Sequence, residues 1–227
     1  MKRGILWGWL LLTPLLAQAA GYTMPDERDQ TVDISLRFAS AKAPFDYSDG
    51  HAYDTTNRWI GLTLREQVSP RLMLGMYGGY AYVTQTGNPL TAGIELDGYH
   101  AGFSLDGVLF ESRNASLYYA LDYTYQKVDN KTDTQTVVLD WSAPQALLGA
   151  SVAIARGLRL YGGGGYGYID GEERASGLVN HTTDFNRSSR AFGFLGLDLN
   201  VDPDGFVGIE AATGLTRRAE IYFKRRY

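Results

Sequence analysis

Apolar and polar residues alternate along most of this chain, which is the pattern of β-strands with two different faces. In residues 31–38 every second residue is apolar, from Val32 to Phe38, and the residues between them are polar. Nine more runs alternate in the same way, and their outward apolar positions include, in chain order, Leu62, Leu74, Phe103, Leu121, Leu148, Leu160, Leu197, Ile209 and Ile221. After residue 20, no segment has about 18 consecutive apolar residues. The pattern therefore predicts ten strands and no membrane-spanning helix.

The breaks between the predicted strands alternate between short and long. Short breaks, rich in Ser, Pro, Asn, Gly and Asp, fall at 68–70, 111–114, 155–157 and 202–205. Longer polar breaks, which we expect to be loops, fall at 41–56, 85–91, 127–136 and 170–188, and a tight fifth one at 213–216. Short turns at one end and long loops at the other are typical of transmembrane β-barrels. Such a sheet must close, because an open edge in lipid leaves backbone groups unpaired.

A soluble β-sandwich would alternate as well, but its second face would be solvated. The chain has 16 tyrosines, and several lie at predicted strand tips: Tyr80, Tyr82, Tyr123, Tyr125, Tyr166, Tyr168 and Tyr227. Tyrosine is enriched where a transmembrane barrel meets the lipid headgroups. We therefore predict an all-β fold, a closed antiparallel transmembrane up-and-down β-barrel. Ten strands are preferred, and eight are the alternative if a weak run such as 206–212 is irregular.

The first twenty residues have the pattern of an export signal. Lys2 and Arg3 are followed by an apolar run from Ile5 to Leu16, and then by small residues that suit a cleavage site. A transmembrane anchor is the alternative, but this run has about 12 residues and a spanning helix needs about 20. We predict a cleaved signal peptide at 1–19, with cleavage after Ala20 nearly as plausible, and a single barrel domain at 20–227.

The face opposite the apolar one carries charges of both signs. The predicted inward set contains Asp33, Arg37, Arg65, Asp122, Arg159, Asp198, Glu210, Arg218, Glu220 and Lys224. Burying such groups is tolerable when they pair with one another. The lumen of a barrel of eight to ten strands is therefore expected to be packed with its own polar side chains.

Composition excludes several classes of function. The chain has no cysteine, which rules out a disulfide scaffold, a thiolate metal site and a cysteine nucleophile. The formal net charge is −4, whereas nucleic-acid-binding domains are basic, so we expect no nucleic-acid partner.

Histidine, serine and aspartate share the predicted inward face of one strand, as His100, Ser104 and Asp106. Side chains at positions i and i+4 of a strand lie about 13 Å apart, too far for direct activation of a nucleophile. We interpret these three residues as a polar cluster of the lumen and predict no catalytic residue, cofactor or metal ion. Two further groups, which we interpret as solvated, are the loop histidines His51 and His181 and the loop acids Asp46, Asp49, Asp54, Asp170, Glu172, Glu173 and Asp184.

Three segments resemble those of the small outer-membrane β-barrel proteins of Gram-negative bacteria, the broad OmpA-type superfamily. They are MKRGILWGWLLLTPLLAQA, SPRLMLGMYGGYAYV and the terminal EIYFKRRY. The resemblance implies location in the cell outer membrane, contact with its lipid and lipopolysaccharide, and recognition by the barrel-assembly machinery. It also implies that Phe223 and Tyr227, on the terminal strand, belong to the assembly signal.

Members of this superfamily include adhesins, complement-evasion proteins, small channels and a few enzymes. The leading hypothesis is a non-enzymatic outer-membrane protein whose surface loops bind a partner or serve the envelope. The charged lumen favours a second one, a narrow channel for ions or small polar solutes. A lipid-A-modifying or proteolytic barrel enzyme is a weaker third hypothesis, because no catalytic set can be assembled. The alternation of apolar and polar residues does not show what the surface loops bind, so no extracellular ligand is predicted.

Overall fold

The chain folds into twelve antiparallel β-strands in a computed structural model that describes residues 31–91, 93–131, 134–187 and 190–227. The predicted signal peptide lies outside the described residues. The strands are β1 (Val32–Tyr47), β2 (Ala52–Ser69), β3 (Leu72–Thr86), β4 (Leu96–Glu111), β5 (Ala115–Lys131), β6 (Gln135–Ala155), β7 (Leu158–Gly167), β8 (Ile169–Gly177), β9 (His181–Arg187), β10 (Ala191–Asn200), β11 (Gly205–Thr213) and β12 (Arg217–Arg226).

Ten of these strands close into a ring. Each of β1 to β5 pairs with the next strand in sequence. After that, β6 pairs with β7, β7 with β10, β10 with β11, and β11 with β12. The ring closes because β12 pairs with β1, from Asp33 opposite Arg226 to Lys42 opposite Arg217. This confirms the predicted closed antiparallel barrel of ten strands. Among the described residues, no helix is long and apolar enough to cross a membrane.

The hairpin of β8 and β9 extends the wall beyond the short turn between β11 and β12. Strand β8 pairs with the first part of β6, and β9 pairs with β1 at Asp46 and Tyr47. Above the turn at 214–216 the ring therefore consists of eight strands, β1 to β6 with β8 and β9. We call this end, with the turn at 48–51, the upper half, and the end with Val32 and Tyr227 the lower half.

Much of the sequence predicted as long loops is strand, so those loop boundaries were wrong. The predicted loop 170–188 contains most of β8 and β9, and parts of 41–56 and 127–136 belong to β1, β2, β5 and β6. The reason is that the inward face of β8 carries Gly171 and Glu173 beside its apolar residues, so both faces of the strand hold non-apolar residues and the alternation is lost. The predicted short turns fall between strands as expected.

The outer surface of the lower half is apolar. Exposed large apolar side chains form a belt, which includes Ile34, Phe38, Leu62, Met76, Phe103, Leu121, Leu148, Leu195 and Ile209. Tyr80, Tyr99, Tyr166 and Tyr168 project outward along the upper edge of this belt. An apolar band with an aromatic rim is the surface that transmembrane barrels present to lipid.

Strand β1 shows that polarity inverts between the two halves. In the lower half, Ile34 faces outward and the buried carboxyl of Asp33 faces inward. In the upper half, Phe45 is buried in the lumen, whereas Lys42 is exposed outside. The upper half is therefore built like a water-soluble barrel, with an apolar interior and a polar exterior.

Tyrosine rings in the lumen lie against glycines of the neighbouring strand. A Cβ atom at Gly196 would lie 2.2 Å from Cζ of Tyr161, and one at Gly208 would lie 2.1 Å from Cζ of Tyr222. Only glycine leaves room for this approach, so these two glycines allow large rings to fill the lumen.

Candidate functional site

The lumen of the lower half contains a chain of ion pairs. Nε of Arg37 lies 2.5 Å from Oε1 of Glu220, and Nε of Arg218 lies 3.8 Å from Oε2 of the same carboxylate. Arg218 also pairs with Glu210. The alternation of β1, β11 and β12 brings these side chains together, and their mutual pairing offsets the cost of removing them from water.

A second cluster of polar side chains faces these ion pairs from β2, β3, β4 and β5. The hydroxyl of Tyr77 donates a hydrogen bond to Oδ1 of Asp122 at 2.5 Å. Nε of Arg65 lies 3.4 Å from Oδ2 of Asp106. The ten predicted inward charges all lie on the lumen side of their strands, as expected from the alternation.

The structure brings two of the three predicted cluster residues into contact. Oγ of Ser104 donates a hydrogen bond to Oδ2 of Asp106 at 3.1 Å, and both side chains are buried. His100 is buried on the same face, but it packs against Trp59, with 5.0 Å between the ring centroids. No hydrogen bond joins His100 to Ser104 or Asp106 in the described part of the chain, so the geometry of a triad is not formed.

A cavity of about 180 Å³ lies in the lumen near His100. Its lining combines the polar side chains of Arg37, Tyr77 and Gln126 with the rings of Trp59 and Trp141. The cavity is large enough for several water molecules. Its upper side is formed by apolar residues.

An apolar core, which we call the plug, fills the lumen of the upper half. Its buried members include Phe45, Tyr47, Val83, Leu96, Val128, Val137, Leu139, Trp141, Ile169 and Phe185. The rings of Phe45 and Phe185 are stacked with centroids 4.7 Å apart, and Trp141 meets Phe45 edge-on at 5.6 Å. These residues come from strands on all sides of the ring, so the plug crosses the whole lumen.

One carboxylate, Glu173, is buried within the plug with only 1% of its surface exposed. Its Oε2 accepts hydrogen bonds from the hydroxyl of Tyr47 at 2.7 Å and from Nδ2 of Asn88 at 2.8 Å. Burial raises the pKa of Glu173, and the hydrogen bonds from Tyr47 and Asn88 act in the opposite direction. Burial also raises the pKa of the Tyr47 phenol, with Glu173 adding to the shift.

The same cluster holds the turn after β3 inside the barrel. Nδ2 of Asn88 and Oγ1 of Thr91 each donate to Oε1 of Gln85 at 2.8 Å. Nε2 of Gln85 in turn donates to the hydroxyl of Tyr47 at 2.8 Å. The segment 85–91 therefore covers the plug instead of extending into solvent.

The interpretation of Glu173 as a solvated loop acid was wrong. The signal that could have placed it is the phase of β8, where Ile169 and Ala175 are buried and Glu173 falls between them on the same face. The histidines His51 and His181 are exposed, as expected. In the described residues, no group of three His, Cys, Asp or Glu could hold a metal ion.

The terminal strand β12 presents two different faces. Phe223 and Tyr227 point outward and are exposed, whereas Tyr222 is buried in the lumen. Phe223 lies opposite Leu36 of β1, and the backbone N–H of Tyr227 donates to the carbonyl of Val32 at 2.9 Å. The residues predicted to form the assembly signal therefore lie at the seam where the ring closes.

Comparison with solved structures relates this architecture to known proteins. An outer-membrane channel from Pseudomonas putida F1 matches with a TM-score of 0.51 and 13% identity, over 92% of this chain and 99% of that one. The translocator domain of the autotransporter NalP from Neisseria meningitidis matches with a TM-score of 0.52 and 10% identity, over 90% of each chain. The fold is that of an outer-membrane β-barrel.

At such low identity the likeness extends to the fold alone. No family model matches the sequence, and no curated protein matches it significantly. The function of this barrel must therefore be argued from its own plug, lumen and surfaces.

Proposed function

We propose that this protein is a non-enzymatic outer-membrane barrel with a closed lumen, whose upper half is a folded extracellular surface for binding or for an envelope role. The observation that carries the proposal is the plug. Residues such as Val83, Leu139 and Phe185 are almost completely buried across the lumen. A hydrated ion or polar solute would lose its hydrogen bonds to water there without gaining replacements.

The exterior of the upper half supports a role in aqueous contact. Its outward side chains form ion pairs, such as Lys42 with Asp54 at 2.9 Å and Arg174 with Glu172 at 3.1 Å. The wall continues beyond the lipid-facing belt as paired strands, so it offers a partner a preformed surface. A preformed surface has little ordering entropy to lose on binding.

The absence of enzymatic activity is supported by the separation of His100 from Ser104 and Asp106. Ser104 donates its hydrogen bond to the carboxylate of Asp106 instead of an imidazole, so the serine–histidine pair of a hydrolase triad is not formed. The proposed location in the outer membrane, reached by means of the signal at 1–19 and the barrel-assembly machinery, rests on the apolar belt and on the neighbouring folds.

Planar-bilayer conductance of the refolded mature protein tests the closed lumen. We expect no conductance steps from the wild type. The double variant Trp141→Ala, Phe185→Ala removes two rings of the plug and should produce them. The matched control Leu178→Ala, Val179→Ala removes exposed side chains from the tip between β8 and β9 and should stay silent.

Steady conductance from the wild type would overturn the proposal and favour the narrow channel. The charged lumen and the cavity beside His100 would then be parts of a permeation path. A heat-modifiability gel shows beforehand that each protein is folded as a barrel, so a silent trace cannot arise from unfolded protein.

A further inference from the structure

A recess of about 890 Å³ lies on the outer wall, apart from the lumen and the plug. Its lining runs from β7 across β10, β11, β12, β1 and β2 to β3, and its apolar part includes Phe38, Ile60, Leu160, Leu195, Ile209 and Ile221. Its floor is formed by small outward residues that lie opposite one another: Ser40 pairs with Ala219, and Ala219 with Ala211. The recess is thus a place where the wall is thin because the outward side chains are short.

Three cations lie directly above this recess. Lys42 is opposite Arg217 on β12, and Arg58 is opposite Ser40, two residues from Lys42 along β1. Side chains on one face of a sheet have Cβ atoms about 5 Å apart when directly opposite and about 7–8 Å apart on the diagonal. The three positive charges therefore form one patch at the upper rim of the recess.

The aromatic rim of the belt is interrupted at this patch. Strands β3, β4 and β7 place Tyr80, Tyr99 and Tyr166 outward at this boundary. Strands β1, β2 and β12 have no outward tyrosine at the same boundary and carry Lys42, Arg58 and Arg217 instead. Tyrosine suits any lipid headgroup, whereas a patch of lysine and arginine selects anionic ones.

The cations are available to a ligand. Lys42 pairs with Asp54, but both side chains are about half exposed, and exposed pairs of this kind are weak. Arg58 and Arg217 have no carboxylate within ion-pair distance among the described residues. The nearby acids Glu95 and Asp97 accept hydrogen bonds from Tyr82 and Tyr80, on the far side of the recess.

We propose that this recess and its rim bind an acylated, phosphorylated glycolipid of the lipopolysaccharide type, with acyl chains in the recess and phosphates on the three cations. The inference rests on the proposed outer-membrane location. Guanidinium groups match phosphate oxygens by paired hydrogen bonds, and Lys42 adds a point charge. Three cations suit a headgroup with more than one phosphate, and a recess whose lining crosses seven strands, about 28 Å, exceeds the width of one acyl chain.

Binding of purified lipid A to the refolded mature protein in zwitterionic nanodiscs tests the proposal. The triple variant Lys42→Gln, Arg58→Gln, Arg217→Gln should bind diphosphorylated lipid A about tenfold to a hundredfold more weakly, since each cation near a lipid surface contributes about 1 kcal/mol. The control Arg113→Gln, Lys127→Gln, Arg156→Gln removes the same charge away from the recess and should bind as the wild type does. Filling the recess with Ala211→Phe, Ala219→Phe should also weaken binding.

Equal binding by the two triple variants, or by the filled recess and the wild type, would overturn the proposal. So would equal affinity for dephosphorylated lipid A or for phosphatidylglycerol, because the site would then not recognise a phosphorylated glycolipid. Heat-modifiability gels establish that each variant is folded. Conductance of the same preparations reports separately on the closed lumen, which none of these substitutions touches.

Discussion

The hydroxyl of Tyr47 donates a hydrogen bond to the buried carboxylate of Glu173, with 2.7 Å between the two oxygens. The two residues are 126 positions apart, at the end of β1 and in the middle of β8. Their contact connects the two strands flanking β9, where the ring narrows from ten strands to eight. The contact therefore joins the inserted hairpin of β8 and β9 to β1 on the lumen side.

Removing the Tyr47 hydroxyl should destabilise the upper half. Tyr47→Phe leaves the ring in the plug but takes one hydrogen bond from a buried carboxylate, and we expect a loss of about 1.5–3 kcal/mol. Urea unfolding followed by the fluorescence of Trp141, in a Trp59→Phe background, measures the change. Tyr53→Phe is the matched control, because its ring lies beside Tyr47 but its hydroxyl is outside this cluster. Equal losses in both variants would show that the hydrogen bond to Glu173 has no special weight.

The stability of the upper half should fall as pH rises. Because burial raises the pKa of Glu173 above its usual 4.5, the folded chain holds this proton more tightly than the unfolded chain. The native state is therefore most favoured at pH values below the pKa that Glu173 has in the unfolded chain. This advantage is lost as the pH rises from that value to the raised pKa of the folded chain. Glu173→Gln should flatten the pH dependence of the urea midpoint that Trp141 fluorescence reports. Near neutral pH, the midpoint of this variant should be higher than that of the wild type. A steeper dependence in Glu173→Gln would contradict the assignment.

Charges on the belt should disturb insertion, whereas charges on the same face of the upper half should not. Leu121 is 48% exposed on the outer face of β5, and Leu121→Arg should cost about 2–4 kcal/mol in lipid. Asp129→Arg, eight residues further on the same face, lies in the polar exterior and should be tolerated. The folded fraction in liposomes, read from heat-modifiability gels, compares them. Equal damage from both would mean that the belt ends higher on the wall than the apolar surface indicates.

Deletion of residues 223–227 should abolish accumulation in the outer membrane. The deletion removes the pairing of Leu36 with Phe223 and of Asp33 with Arg226, so the edges of β1 and β11 lose their partners. Tyr227→Ser retains that pairing and should reduce accumulation less. Heat-modifiable protein in membrane fractions measures both. Undiminished folded protein after the deletion would refute the proposed role of Phe223 and Tyr227 in assembly.

The alternation of the sequence predicted the ring because each side of the wall in the lower half faces one kind of environment. Leu36 and Leu62 lie on the outer face while Asp33 and Arg65 face the lumen, so polarity follows period two. In the upper half both the polar exterior and residues such as Glu173 obscured the period. The contact of Tyr47 with Glu173 was beyond prediction, since it depends on which strands meet where the ring narrows.

The lumen cluster shows the same limit. Alternation placed His100, Ser104 and Asp106 on one face, and the structure agrees with that placement. Their partners lie on neighbouring strands, as Trp59 does for His100 and Arg65 for Asp106. The register between neighbouring strands determines which side chains meet, and this register cannot be read from the sequence pattern of a single strand.

The reversal of polarity along β1 to β6 means that one set of strands is adapted to two solvents. In the lower half, acyl chains cover the apolar side chains, so exchanging lipid for detergent changes the stability of that half. In the upper half the apolar side chains cover one another, and urea, heat and alkali act there as they would on a soluble protein. The chain is a membrane protein and an aqueous domain without a linker, and each of the strands β1 to β6 contributes to both.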